Sequence, residues 1–238
     1  MSNLVYYSQE DARWRNVLYS IRNDKTQTIG TSACGPTSTA MAISSITGKS
    51  VLPTTAALYA ITKGFRTPDS GTSWGYYASI AKEYGLSCKQ TGSIADVKEA
   101  LGAEKLVIAS MGKGHFTGGG HYVLLVGINT EKGIAWIDVY DPNHDNTKYG
   151  SDGLINQGIR NDGKVTAKES VFKSEAKQYW IFNKLTQEEP EMKKVDADGI
   201  IAYLKLAHGV AKTPEEKKEI GRLADELRVA SGQAKQNE

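Results

Sequence analysis

Apolar positions along the 238-residue chain change their period near the middle. Small residues run from Thr31 to Ala33, and from Cys34-Gly35-Pro36 the spacing becomes helical, with Met41, Ile43 and Ile46 forming one apolar face. Pro36 suits a first helical turn, where its missing N–H has no intrahelical acceptor, and Gly35 allows close backbone approach. Three more helices are expected: residues 54–63 ending at Gly64, residues 74–84 with Ser73 as N-cap and Gly85 as stop, and one opened by Ser93 and closed by Gly102. A period of two then takes over. Residues 105–111 read as a strand, and residues 121–129 and 134–140 as a hairpin turning at Glu131-Lys132-Gly133. The glycine-rich run 112–120 separates the first two strands. Residues 141–168 are polar and read mostly as loop; residues 178–184 make a last strand with Trp180 and Phe182 on one face. Residues 4–8 look extended and lead into a polar loop around Trp14. Helices followed by antiparallel strands give an α+β class.

The texture shifts after residue 185, so the expected domains are 1–185, a linker at 186–195 and a helical module at 196–238. The linker is acidic and contains Pro190. One helix is expected over residues 197–207, and a second opens at Thr213-Pro214-Glu215-Glu216, an N-cap, a first-turn proline and a capping-box glutamate. Ile220, Leu223, Ala224 and Leu227 make its apolar stripe, and residues 231–238 read as disordered. Two short helices bury little surface alone, so they should dock, bind or self-associate.

Composition narrows the function classes. A net charge of +2 gives no reason to expect a nucleic-acid partner. Cys34 and Cys88 are too few for a disulfide framework and are expected reduced. The N-terminus has no basic start followed by an apolar core, so no signal peptide is expected, and no run reaches membrane-spanning length.

Cys34 at a helix N-terminus lies near unsatisfied N–H groups and the positive dipole end, which favour thiolate. The same position also suits a cysteine that merely packs. A nucleophile needs a base, a group that orients the base, and an oxyanion donor. His121 follows Gly120 at a strand start, and Asp141 ends the partner strand before Pro142, so hairpin geometry can bring the two together. Asp138 is the other carboxylate on that strand, but three residues along a strand reverses the face.

The stretches Tyr7-Ser8-Gln9-Glu10-Asp11-Ala12-Arg13-Trp14, Ser32-Ala33-Cys34-Gly35-Pro36-Thr37-Ser38, Gly120-His121-Tyr122-Val123-Leu124-Leu125-Val126-Gly127 and Asp141-Pro142 resemble, in order, the motifs of the bacteriocin-leader-processing-like peptidases. These are papain-like cysteine peptidases (peptidase family C thirty-nine and its relatives), and one branch occurs in phage endolysins. The resemblance implies a papain-like fold with Cys34 as nucleophile, His121 as base, Asp141 as orienting acid and Gln9 as oxyanion donor. Gln9 lies farther from the cysteine than is usual in leader processors, and Gln27 is the second candidate. It further implies hydrolysis of an amide in peptidoglycan through a thioester, by a protein made in a host cytoplasm and acting at the bacterial wall. The alternatives are a leader-peptide peptidase and a non-catalytic binding protein on the same scaffold. In either enzyme Trp74 and Gly120 are candidates for lining the substrate groove. No cofactor is expected, although Asp141, Asn143 and Asp145 place oxygens at alternate positions, like the start of a calcium loop without its glycine. Zinc on Cys34, His115 and His121 matches no common spacing. Cys88 reads as a core or edge thiol. Partners are then peptidoglycan and, through the C-terminal helices, a second copy of the chain.

Overall fold

A computed structural model describes residues 3–69, 71–185 and 194–236. The chain forms two compact units, Met1–Leu185 and Thr186–Glu238. Within the first unit the helices α1 (Ile29–Ser32), α2 (Cys34–Thr47), α3 (Pro53–Thr62) and α4 (Gly75–Glu83) lead to strand β1 (Leu86–Thr91) and helix α5 (Ile94–Gly102). Strands β2 (Leu106–Met111), β3 (His121–Glu131), β4 (Ile134–Tyr140), β5 (Ile155–Asn156) and β6 (Lys164–Lys168) follow, then α6 (Glu169–Glu175) and β7 (Ala176–Lys184). All strand pairs are antiparallel, in the order β1-β7-β2-β3-β4-β6-β5. The class is α+β.

Strand alternation sorts the core into two layers. Leu106, Ile108, Leu124, Trp180 and Phe182 pack with residues of α1 to α4, including Met41, Ile43, Tyr76 and Tyr77. Val107, Ala109, Val123, Leu125, Tyr179 and Ile181 point the other way, against Val97 and Leu101 of α5 and Val171 and Phe172 of α6. The whole of β2 is therefore buried, which is why it reads as a continuous apolar run. Each fully buried large apolar side chain contributes about 1.5–3 kcal/mol, more than a single hydrogen bond at about 1 kcal/mol. Both faces of β2 and β7 are therefore covered by helices.

Several elements depart from the sequence reading. The region read as loop after Asp141 contains β5 and β6, where Val165 and Ala167 bury one face while the lysines at either end stay more exposed. Helix α6 and edge strand β1 were also not expected. Trp74, not Ser73, occupies the N-cap of α4, without a side-chain cap hydrogen bond. Ser93 does cap α5 by accepting from the Asp96 amide.

In the second unit, α7 (Lys194–Val210) and α8 (Pro214–Ala230) form a helical hairpin with Ala197, Ile201 and Ala224 buried between them. Thr213 and Glu216 make a reciprocal capping box at the start of α8. Of the expected linker, residues 186–193 lie outside the described residues, while Lys194 and Val195 belong to α7. Residues 231–236 are tied down rather than loose, since Gln233 donates to Asp198 and the Gln236 amide to Asp225; residues 237–238 lie outside the described residues. Ile200, Tyr203, Leu206 and Val210 of α7 are exposed.

Candidate active site

Helix α2 carries Cys34 as its first residue, with Ala33 as N-cap and the short α1 turn immediately before it. Gly35 is obligatory on steric grounds. A Cβ there would lie 2.7 Å from the hydroxyl of Tyr77, which is fully buried and cannot retreat. The Cys34 thiol is free and half-buried. The groups that act on it are the His121 side chain and the amides of Tyr122 and Gly35.

His121 enters from the sheet as the first residue of β3, opposite Met111. The β3–β4 ladder runs to Leu124 opposite Tyr140, so the next residue, Asp141, leaves β4 near the start of β3. There the His121 Nε2 lies 2.6 Å from Asp141 Oδ1. With Nε2 committed to the carboxylate, Nδ1 is the ring nitrogen available to the sulfur. Asp141 is fully buried. Its Oδ1 also accepts the Asn143 amide at 2.9 Å, and its Oδ2 accepts Asn146 Nδ2 at 2.9 Å and the Tyr149 hydroxyl at 2.8 Å. Its backbone is pinned as well: the Asp141 amide donates to Gly163 and its carbonyl accepts the Tyr6 hydroxyl. Gly163 has φ +71° and a Cβ there would run into the Tyr6 hydroxyl, so no other residue fits there.

Electrostatics follow from this packing. Burial pushes the Cys34 thiol up, but the His121 hydrogen bond and charge, helped by the Tyr122 and Gly35 amides, outweigh it and hold the thiol below its ordinary value. Burial disfavours charge on His121 too, yet the adjoining Asp141 charge and hydrogen bond, with Cys34 behind them, raise it to about 10. Sulfur low and imidazole high is the order an ion pair requires. Cys88 is the reverse case: on β1 it has burial alone acting on it, which pushes its thiol up to about 12.

The other sequence candidates separate clearly. Gln9 is buried beside this assembly; its amide donates to the Pro142 carbonyl at 2.9 Å and its Nε2 to the Gly30 carbonyl at 2.7 Å. It therefore links the turn after Asp141 to the turn before Cys34. Gln27 is spent elsewhere, donating to Pro68 and accepting from Arg66. Asp138 sits farther along the hairpin, opposite Gly127, and accepts from Asn129. Trp74 is 45% exposed and meets the buried Trp180 edge-on at 5.8 Å. Gly120 is exposed, and a Cβ on it, or on Gly118 or Gly119, would meet nothing within 4 Å.

Asp141 cannot join Asn143 and Asp145 around calcium, because four donors already occupy its two oxygens. Asp145 lies instead with Glu10 and His144, their ligand atoms within 4.8 Å of one another. The zinc set fails for the same reason, since both ring nitrogens of His115 face carboxylates, Glu175 and Asp152. Asn146 and Tyr149 were missed in the sequence. Both lie in a polar stretch, and only the burial of Asp141 makes their donors meaningful.

A model of the Peptidase_C39 like family matches residues 1–183. The chain belongs to that family. Its match covers the whole first unit up to the last residues of β7, so the mixed helix and antiparallel-sheet architecture is the papain-like fold, and cysteine peptidase is the activity the family supports. The helical hairpin lies outside the family match. No curated protein matches the chain. Among the described residues no helix is long and apolar enough to cross a membrane.

Proposed function

We propose that the protein is a peptidoglycan hydrolase of the phage endolysin type that cuts an amide bond with Cys34, His121 and Asp141. The observation that carries the chemistry is the 2.6 Å bond between His121 and buried Asp141, with the His121 side chain also lowering the Cys34 thiol. In this reading the Cys34 thiolate attacks the amide carbonyl carbon. His121, protonated and steadied by Asp141, gives its proton to the leaving amine, and the C–N bond breaks to leave a thioester. Water, deprotonated by the now neutral His121, then hydrolyses the thioester and restores the thiol. Gln9 Nε2 has one hydrogen on Gly30 and a second to offer the oxyanion, joined by the Cys34 amide, which belongs to a first helical turn without an intrahelical acceptor.

The wall substrate is supported by the resemblance of the motifs to the endolysin branch and by the separate helical unit. The exposed apolar residues Tyr203, Leu206 and Val210 on α7 suit attachment to the wall or pairing with a second copy. Open space around Gly118 to Gly120 and the exposed Trp74 suit a groove that admits a peptide. The test is turbidity loss of purified peptidoglycan with mass spectrometry of the released fragments. Wild-type protein should release peptide or amide-cleaved fragments, and Cys34→Ala should release none while melting at the same temperature. Retained lysis by Cys34→Ala overturns the nucleophile. Cleavage of a leader peptide without any action on peptidoglycan overturns the substrate and keeps the enzyme.

A further inference from the structure

We propose that Tyr149 and Asn146 are positioning residues of this reaction: they hold the Asp141 carboxylate by its Oδ2 so that its Oδ1 faces His121. The inference rests on the peptidase reading and adds two residues to it. A carboxylate fully out of water needs hydrogen-bond donors in place of the lost solvent, and the donors it finds fix its orientation. On Asp141 the Oδ1 side is served by His121 and the Asn143 amide, and the Oδ2 side by the Tyr149 hydroxyl at 2.8 Å and Asn146 Nδ2 at 2.9 Å.

Both donors are held in place from behind. The Tyr149 ring is buried in the core layer facing α5 and α6 and meets Phe116 edge-on at 5.7 Å. For packing alone a phenylalanine would serve; the hydroxyl has Asp141 as its acceptor. Asn146 uses its amide completely. Nδ2 also donates to the Phe116 carbonyl at 2.9 Å, and Oδ1 accepts the Lys148 amide at 2.9 Å. Asn146 thereby ties the carboxylate to the glycine-rich loop that delivers His121. The titratable groups facing Asp141 are His121 from β3, Tyr149 from the loop after β4, and Tyr6 from the N-terminal segment. Burial, then the charges of Asp141 and Asp162, raises both tyrosines, so both remain neutral donors.

Removing a donor from Oδ2 frees the carboxylate to rotate away from His121. A carboxylate turned from His121 no longer supports the imidazolium beside Cys34, so the acid limb of Cys34 reactivity should move to higher pH. The experiment follows iodoacetamide labelling of Cys34 against pH by peptide mass spectrometry, alongside kcat and KM on purified peptidoglycan. Tyr149→Phe keeps the ring and is expected to raise the acid limb by about one pH unit, with kcat down about tenfold and KM within about twofold. Asn146→Ala should shift the limb in the same direction, and melting curves show whether it folds, since it also strips the partner from the Phe116 carbonyl. A Tyr149→Phe profile that superimposes on wild type, or a lower melting temperature with an unmoved limb, overturns the inference and leaves the enzyme reading intact. A wild-type Cys34 that labels no faster than Cys88 overturns both.

Discussion

Cys34 and Cys88 are the chain's two cysteines, both free and both half-buried, yet their surroundings pull them in opposite directions. Cys88 lies on edge strand β1 paired with Phe182, and burial alone pushes its thiol up to about 12. Cys34 experiences burial as well, but it begins a helix and faces His121, and the balance tips to a lowered thiol. Burial alone therefore holds a thiol protonated, and burial beside a positive charge favours the thiolate. What fixes the charge is Asp141, which raises His121 to about 10.

The comparison breaks most severely at Asp141. Asp141→Asn keeps an acceptor for His121 Nε2 but removes the negative charge that holds the ring's proton. The alkaline limb of activity reflects loss of that proton, so it should move down from the high position set by the raised imidazole. Activity near neutral pH should fall about 10²-fold or more, as measured by kcat/KM against pH. The linkage sign is the same for stability. A group raised on folding stabilises below its unfolded value and loses that contribution as pH rises through the folded one, so wild type should soften toward pH 10.

A smaller break is steric. In Gly35→Ala the new methyl meets the buried Tyr77 hydroxyl, so the first turn of α2 must shift. Thermal or urea unfolding should record a loss of about 1–3 kcal/mol. Peptidase activity should fall further than stability explains, because the displaced turn carries Cys34. The smallest effect belongs to the other cysteine. Cys88→Ser should leave kcat/KM unchanged and cost about 1 kcal/mol or less, since its site is half-buried and only packs.

Much of this contrast was legible in the sequence where a single residue type has one good physical use. Pro36 after Cys34-Gly35 marks a helix start, and Thr213-Pro214 with Glu216 marks another; both helices begin at those points. His121 and Asp141 stand at the ends of two strongly periodic strands, so the hairpin register brings them together without further information. What stayed hidden was encoded by partners rather than pattern. Leu86-Ser87-Cys88-Lys89-Gln90-Thr91 looks polar because an edge strand buries only part of itself. The short strand Lys164–Lys168 is hidden among glycines, and its two buried residues make sense only once β4 lies beside it. Asn146 and Tyr149 carry no motif, and their role follows from the depth at which Asp141 is buried. Alternation along residues 141–145 says nothing of which way Asp141 turns, and its oxygens face His121, Asn146 and Tyr149.

Competitive labelling of the native protein with iodoacetamide at pH 6, read by mass spectrometry of the two cysteine peptides, tests the central claim most directly. Cys34 should label at least about 10²-fold faster than Cys88, and His121→Ala should remove the advantage. Equal rates in the wild type, or an advantage that survives His121→Ala, would contradict the account.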